Sequence, residues 1–531
     1  MGAQSAIATF TRAVTVAAGV FAPGHLGELT QLVPFELVDD VLVRTGTVQR
    51  RLRDLPSRAG VYFVLALGLF PGLGYARVWA KLTAGLAGLA GLAVAAPSEK
   101  ALRDLRRRLG PAPLKALFEV LAGPLAWPYA PGVRFGGLRT VAFDGCSSLR
   151  VPDTARNRAW PGRIRHRTGF AGYPLLHLMA LAETGTRGLL GAVAGCAADG
   201  DEPALARQLL HLLGPGMLVL MDRAYDARAF LSEVAGTGAH LLARAKASRR
   251  LQVLQVLPDG SFLSDLGGLR VRVIQARVTV TGADGSRCTD EYRLITTLAD
   301  HRRFPADRLV RLYHERWEIE SAYYALRHTL LAGRVLRSGD RPGLEQETWA
   351  LLALYQLLRM AMTDAAATRP GTDPDRASFT TALQTARDQL TSAQAITGGP
   401  GAITPAILDT LLPARRPRYS ARTVKCPRSR YASADDQRPR LPATITAITI
   451  TIYPARPGQP SGQRQPSPGS RRQQVITLMN TTPGQPRTGR DLAAELGLDH
   501  HNLLRQLSKW ARTGHMTRIS RALYAPPANP P

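Results

Sequence analysis

Cysteine is scarce in this chain: four residues in 531, Cys146, Cys196, Cys288 and Cys426, with no CxxC spacing among them. Such scatter excludes a zinc ribbon and speaks against a disulfide framework. Acidic residues are few as well, 40 Asp and Glu against 68 Lys and Arg, which leaves a net charge of +28. That excess argues against a secreted enzyme for small neutral substrates. It points to a polyanion, because each cation set against a phosphate releases condensed counterions. An anionic membrane surface would satisfy the charge equally well, so the apolar runs decide. The most apolar stretch, Val61 to Pro97, is broken by Pro71, Arg77 and Lys81. Its pieces are about 13–16 residues long, short of the ~18–20 that span a bilayer. Residues Ala13 to Phe21 lack the basic flank and small-residue cleavage site of a secretion signal. Gly85 to Gly91 is glycine-rich, but no Gly-Lys-Ser/Thr follows, so no nucleotide loop is indicated. The expectation is a soluble, cytoplasmic, polyanion-binding protein without membrane association. At 45% hydrophobic residues it can build several cores, at roughly 100–200 residues per domain.

What is present divides the chain into a multidomain α/β protein. Residues 1–135 are Leu- and Ala-rich with helical periodicity; Ser98 is placed to cap a helix whose last turn carries Arg106, Arg107 and Arg108. The character changes near Gly136. Strands are expected at Leu138–Phe143, Leu175–Ala182, Arg187–Ala194, Met217–Met221 and His240–Ala245, with helices at Glu202–Leu213 and Asp226–Ala235. That order predicts a mixed sheet core over 136–365. Residues 247–298 turn strongly β and read as an inserted β subdomain, punctuated by Asp259-Gly and Asp284-Gly turns. Helices follow at Pro305–Leu331, Gly343–Thr363 and Phe379–Ser392, the last within a helical extension over 366–412. Residues 413–472 hold thirteen Lys and Arg against two Asp and ten of the 38 prolines, the composition of a basic linker or arm. One alternating strand candidate, Ala443–Tyr453, lies within it, and residues 473–531 recover helical order.

Three acids stand where a sheet-based nuclease would need them. Asp144 ends the apolar run Thr140–Phe143 and Asp222 ends Leu218–Met221. At carboxyl ends of strands side chains leave the core and can meet a cation, although an Asp there also commonly starts a turn. The third acid belongs to a helix. Tyr313, Arg316, Glu320 and Arg327 are offset by 0, 3, 7 and 14 positions, which on an ideal helix confines them to a strip of about 60°. Leu312, Trp317, Ile319, Tyr323 and Leu326 supply packing between them. Read alone, the strip is also compatible with a solvated face of Glu–Arg pairs.

Together these residues resemble the signature of DDE transposases of the insertion-sequence-four type: Tyr-x2-Arg-x3-Glu-x6-Lys, with Arg327 in the last place, and acidic motifs matching Asp144-Gly and Asp222-Arg. The resemblance extends from the helical region around Thr47–Gly74 to about residue 365. It implies a ribonuclease-H-like core with the β insertion between the second and third acids. It further implies hydrolysis at the ends of a mobile element and joining of the 3′-OH groups to target DNA. Two Mg²⁺ ions, replaceable by Mn²⁺, would be held by Asp144, Asp222 and Glu320, with Asp144 bridging. The partner would be double-stranded DNA, at element ends and target, met by a homodimer on paired ends in the bacterial nucleoid. Tyr313, Arg316, Arg327 and Arg223 would contact phosphates near the cleaved end. Phe262 and Tyr292 are the only candidates in the β insertion for holding a flipped base, and the route of second-strand cleavage, hairpin or other, stays open. The segment Thr488–Trp510 is similar to a winged helix-turn-helix, with Leu492, Leu496, Leu504 and Leu507 as its core. His501, Asn502, Arg505 and Lys509 would then face DNA. His500-His501 has no partner at metal-ligand spacing. The competing reading is a catalytically silent, transposase-derived DNA-binding regulator.

Overall fold

The computed structural model describes residues 25–51, 53–87, 94–163, 165–166, 169–170, 172–246, 248–391, 401–413, 445–454, 471–480, 485–498, 500–512, 516–520 and 523–525. The chain divides into two compact units, residues 1–459 and 460–531.

Among the described residues the first unit opens with a 3-10 turn at Leu29–Gln31 and then the helices α1 (Phe35–Arg44), α2 (Ser57–Leu69), α3 (Tyr75–Ala87), α4 (Glu99–Leu109) and α5 (Ala112–Leu121). Nearly every residue of α2 is buried, as a helix apolar on all sides must be. α4 begins where its capping residue predicts: the Ser98 hydroxyl accepts from the Ala101 amide at 3.2 Å, and Arg106, Arg107 and Arg108 occupy its last turn. The apolar stretch as far as Ala87 falls in α2 and α3, and among the described residues no helix is long and apolar enough to cross a membrane.

The sheet core follows. β1 (Arg134–Phe135) pairs with β2 (Leu138–Arg150), and beyond β2 come α6 (Ala155–Ala159) and the two-residue strands β3 (Arg165–His166) and β4 (Gly169–Phe170). Next are β5 (Leu175–Glu183), β6 (Leu189–Gly195), α7 (Glu202–Arg207), β7 (Met217–Met221), α8 (Arg228–Gly236) and β8 (His240–Arg244). They stand in the order β6-β5-β2-β7-β8. β2, β5 and β6 run antiparallel, while β2, β7 and β8 run parallel. A large mixed sheet of this kind, behind a helical N-terminal region, fits the ribonuclease-H-like core of the resemblance. Two expected elements differ in extent. α7 ends at Arg207, short of Leu213, and a 3-10 turn occupies Leu210–Leu212. β2 continues through Asp144 to Arg150, with a register irregularity between Cys146 and Leu149, so Asp144 lies within the strand and does not end it.

The β-rich segment extends the core sheet. β9 (Gln255–Val256), β10 (Phe262–Asp265), β11 (Arg270–Gly282) and β12 (Arg287–Thr296) prolong the same sheet, because β12 pairs antiparallel with β8. The acid-bearing segment is then built of α9 (Ala306–Tyr313), a 3-10 turn at His314–Arg316, α10 (Trp317–Tyr324) and a π-helical stretch at Ala325–Leu330. α11 (Arg341–Ala367), α12 (Phe379–Thr391) and α13 (Ile403–Asp409) complete the helical cover, α11 packing on α2 and α5. The strand candidate inside the basic stretch forms as β13 (Ile445–Ile452) and pairs with β11, so part of the expected linker belongs to the core sheet.

The second unit holds α14 (Arg471–Asn480), β14 (Arg487–Thr488), α15 (Gly489–Glu495), α16 (His500–Arg512), β15 (Thr517–Ser520) and β16 (Leu523–Ala525). Thr488 caps α15 and Gly497, at φ +63°, turns the chain between α15 and α16. Its core contains Leu492 and Leu507 as expected, with Leu503, Met516 and Tyr524, while Leu496 and Leu504 pack at its margin.

Candidate active site

Strand pairing brings the first two acids together. β2 and β7 are parallel neighbours with Ala142 opposite Leu220. Two residues further along each strand direction lie Asp144 and Asp222, at matching heights. Alternation then decides the face. Ala142 and Leu220 belong to the core shared with Ile319, Ala322 and Tyr323 of α10, whereas Phe143 and Met221 point into the opposite core. Asp144 and Asp222 therefore share the face that α10 covers. Asp144 is only 4% exposed. Asp222 is half-buried and one of its oxygens accepts from the Ala224 amide at 2.5 Å, capping the turn Arg223–Tyr225. The turn-starting role of this Asp and its place beside Asp144 thus coexist.

The helix is fastened over these strands by two tyrosines. The Tyr313 hydroxyl donates to the carbonyl of Met221, the residue before Asp222, at 3.2 Å. The Tyr323 hydroxyl donates to the carbonyl of Asp144 itself at 2.6 Å. Each tyrosine clamps the backbone of one acid-bearing strand. Tyr313, expected at DNA phosphates, is thus buried with its hydroxyl directed into the sheet; burial pushes its pKa up to about 12. Tyr323, expected only to pack, is the second clamp, and burial together with the Asp144 carboxylate holds its hydroxyl protonated far above the usual range. The helix carrying them is not regular: a tightened 3-10 turn precedes α10 and a widened π turn follows it. The ideal-helix strip therefore does not hold turn for turn, although Glu320 still pairs with Arg316 and Arg327 still reaches Ser148 of β2.

Arg316 is the centre of the constellation. It is buried, 7% exposed, and its guanidinium pairs with Glu320 at 3.2 Å. Burial alone would lower its pKa; Tyr313 and the carboxylates of Asp144, Glu320 and Asp222 more than reverse this. The three acids chosen from the sequence thus act on one buried cation. Arg327 reaches the other end of β2, donating to the Ser148 hydroxyl at 2.5 Å. Arg223 and Trp317 are half-buried, and the Arg316 guanidinium lies 5.1 Å from the Trp317 ring centre. Phe262 and Tyr292, the flipped-base candidates, are both buried.

Two further acids escaped the sequence reading. Glu202, the first residue of α7, lies against Gly145: a Cβ there would stand 2.7 Å from a Glu202 carboxylate oxygen. Its charge acts with that of Asp144 on Tyr225 and Tyr323. Asp201-Glu202-Pro203 reads as an ordinary helix start, so nothing local marks Glu202. Asp226 is buried and paired with Arg249 at 2.5 Å, and it accepts from the Lys246 amide at 2.7 Å.

The donor set of hard carboxylate oxygens suits a divalent cation such as Mg²⁺. Among the described residues, however, no three His, Cys, Asp or Glu side chains stand at metal-binding spacing. The reason is visible in their partners, since Glu320 is turned to Arg316 and Asp222 to the Ala224 amide. In the second unit Arg505 and Lys509 lie exposed one turn apart on α16; the side chains of His501 and Asn502 fall outside the described residues.

Comparison with known proteins shows the family. Residues 23–119 match the insertion element 4 transposase N-terminal family and residues 136–357 the transposase DDE domain. The chain is 30% identical over 411 residues to transposase InsG for insertion sequence element IS4 of Escherichia coli strain K12, covering 73% of this chain and 90% of that one. A piggyBac transposase synaptic complex with hairpin DNA is a distant structural neighbour, with a TM-score of 0.38, 8% identity and coverage of 68% and 78%. That likeness is too slight to carry an argument. With the two family matches and this identity to an IS4 transposase, the chain belongs to the DDE transposases of the insertion-sequence-four type.

Proposed function

We propose that the chain cuts the ends of its own mobile element and joins their 3′-OH groups to target DNA, with Asp144, Asp222 and Glu320 as the metal-holding acids. The observation that carries this reading is the parallel register that sets Asp144 beside Asp222, with the Glu320 helix fastened over both by Tyr313 and Tyr323. Bound divalent cations would activate the attacking oxygen and stabilise the leaving one in an in-line displacement. The protein's own part is positional. Tyr313 and Tyr323 hold the two strand acids against the helix, so that their carboxylates need little reorganisation when DNA arrives. Arg316 compensates the charge of the acids and, on release from Glu320, can turn to a phosphate. Arg327 and Arg223 sit at the rim, where a cation steers the backbone of the DNA end. No residue forms a covalent bond to DNA in this scheme. In the second unit, a helix pair with a β hairpin and exposed Arg505 and Lys509 on α16 supports a winged helix-turn-helix that reads duplex DNA. Two DNA ends would call for two protomers.

The test is Mg²⁺-dependent cleavage of a plasmid carrying the sequences that flank the gene, wild type beside Glu320→Ala. End-specific nicks and joined products, lost in the variant, are expected. Binding without cleavage in both proteins would replace this reading by that of a DNA-binding regulator.

A further inference from the structure

One strand of the core sheet has an outer edge that lacks the usual protection. β13 pairs with β11 and, among the described residues, with no other strand. β10, which lies on the same edge of β11, is paired in turn by β9. β13 reads Ile-Thr-Ala-Ile-Thr-Ile-Thr-Ile, and no charged residue stands between Arg440 and Arg456. Exposed edges are ordinarily blunted by charge, proline or a covering element, because their unpaired N–H and C=O groups template a further strand. Here the prolines, Pro442 and Pro454, stand at the flanks. That placement limits the length of an added strand without refusing it.

The hydrogen-bonding phase of the edge can be read from its inner partner. The Tyr453 amide donates to the Gln275 carbonyl at 2.8 Å, and the register continues with Ile452 opposite Ala276 and Thr451 opposite Arg277. Hydrogen-bonded pairs recur at every second residue of an antiparallel ladder. Thr451, Thr449 and Ala447 therefore direct their backbone groups to β11, and Ile452, Ile450 and Ile448 direct theirs outward. Side chains divide by face in the same rhythm. Ile448, Ile450 and Ile452 pack on the core where α9 meets β13, while Ala447, Thr449 and Thr451 are exposed.

We propose that β13 pairs antiparallel with the same strand of a second copy of this chain, carrying the sheet across a two-fold axis at Thr449. The occupant follows from self-complementarity, which a two-fold interface demands. Centred there, Ile448 meets the partner's Ile450 on the inner face, and Thr449 meets the partner's Thr449 on the outer one. Each outward-directed isoleucine gains a backbone partner, and Pro454, which has no N–H to give, stays out of the ladder. Charge favours the same occupant, since an uncharged edge meeting itself sets no like charges opposite each other. The inference goes beyond the proposed function: it names a surface that would join two protomers, and it does not depend on the chemistry they perform.

The test is sedimentation equilibrium of the full-length protein without DNA or divalent metal. One strand pair buries less than ~1,200 Å², so a dissociation constant on the order of micromolar is expected. Ile450→Pro removes an outward N–H and no bond to β11, and should weaken dimerisation about tenfold or more. A second variant guards against loss of the fold. Thr449→Cys, with Cys288→Ala and Cys426→Ala alongside it and Cys146 and Cys196 buried, sets two thiols opposite each other. The Cα separation of about 4.5 Å in such a non-hydrogen-bonded pair suits a disulfide, so mild oxidation should give a covalent dimer. Thr451→Cys in the same background faces the partner's Ala447 and should give none. A wild type still monomeric at about 100 μM, where such a dimer would prevail, would overturn the inference. So would a dimer that a folded Ile450→Pro leaves intact, or one that Thr451→Cys cross-links as readily as Thr449→Cys. Because neither DNA nor metal is present, a monomer leaves the proposed cleavage standing, and a dimer of a chain that never cleaves removes only the nuclease reading.

Discussion

Glu318 and Glu320 stand two residues apart on α10 and have opposite surroundings. Glu318 faces inward and pairs with Arg187 at 2.5 Å; Arg187, held at φ +59°, also pairs with Asp375, and its carbonyl accepts from the Tyr355 hydroxyl at 2.8 Å. All three charged groups of this set are buried. Glu320 pairs with Arg316 but keeps about a third of its side chain exposed. One carboxylate is sealed among partners that no ligand can displace. The other is paired with a cation whose place a bound ion could take. A buried ion pair of the first kind holds the turn between β5 and β6 to the helix. A pair that remains open on one side can exchange its partner, which chemistry at a phosphate requires.

The sharpest test of that contrast is a pair of alanine substitutions. Glu320→Ala should lower end cleavage by about a thousandfold or more, as loss of a residue acting in a catalytic unit does, and leave the urea midpoint nearly unchanged. Glu318→Ala should do the reverse to the fold, costing about 1–3 kcal/mol by removing one of the two carboxylates paired with buried Arg187, read by denaturant unfolding. A stable Glu318→Ala protein would erase the distinction. The clamps come next. Tyr323→Phe removes one hydrogen bond to the Asp144 carbonyl and should cost about 0.5–1.5 kcal/mol, with a several-fold fall in cleavage rate at saturating DNA. Gly145→Ala should displace the Glu202 carboxylate, a flexible group, so unfolding should shift little while cleavage falls; unchanged cleavage would take Glu202 out of the site. The smallest effect belongs to the second unit. Arg505→Ala and Lys509→Ala should each reduce the slope of log binding constant against log salt by about one, if they contact phosphates.

Much of the core was legible from apolar runs. The strands β5, β7 and β8 fall within a residue of their expected limits, because buried strands advertise themselves as short apolar segments bounded by turns. The helix over Glu202–Leu213 was read too long, since Leu periodicity continues through a 3-10 turn as smoothly as through an α-helix. The β insertion was legible as β from its composition, but the sheet it joins was not. Strand composition reveals that a segment is β, whereas its membership of one sheet or another depends on edge pairing with β8, a contact between distant residues. Glu202 and Tyr323 had no local signal at all. Both matter because of what stands across from them, Gly145 and the Asp144 carbonyl.

The amino-acid sequence by itself determined the chemical inventory: a large cationic excess, two acids after apolar runs and a segment bearing Tyr, Arg, Glu and Arg at telling intervals. Those features follow from residue type and spacing, which survive without a folded chain. Only the tertiary structure decided that Glu320 faces the open site while Glu318 is sealed, and that Tyr313 and Tyr323 clamp the strands. Periodicity tells which residues share a face of a helix. What that face meets is set by packing between elements far apart in sequence, and burial and charge at each side chain follow from that contact.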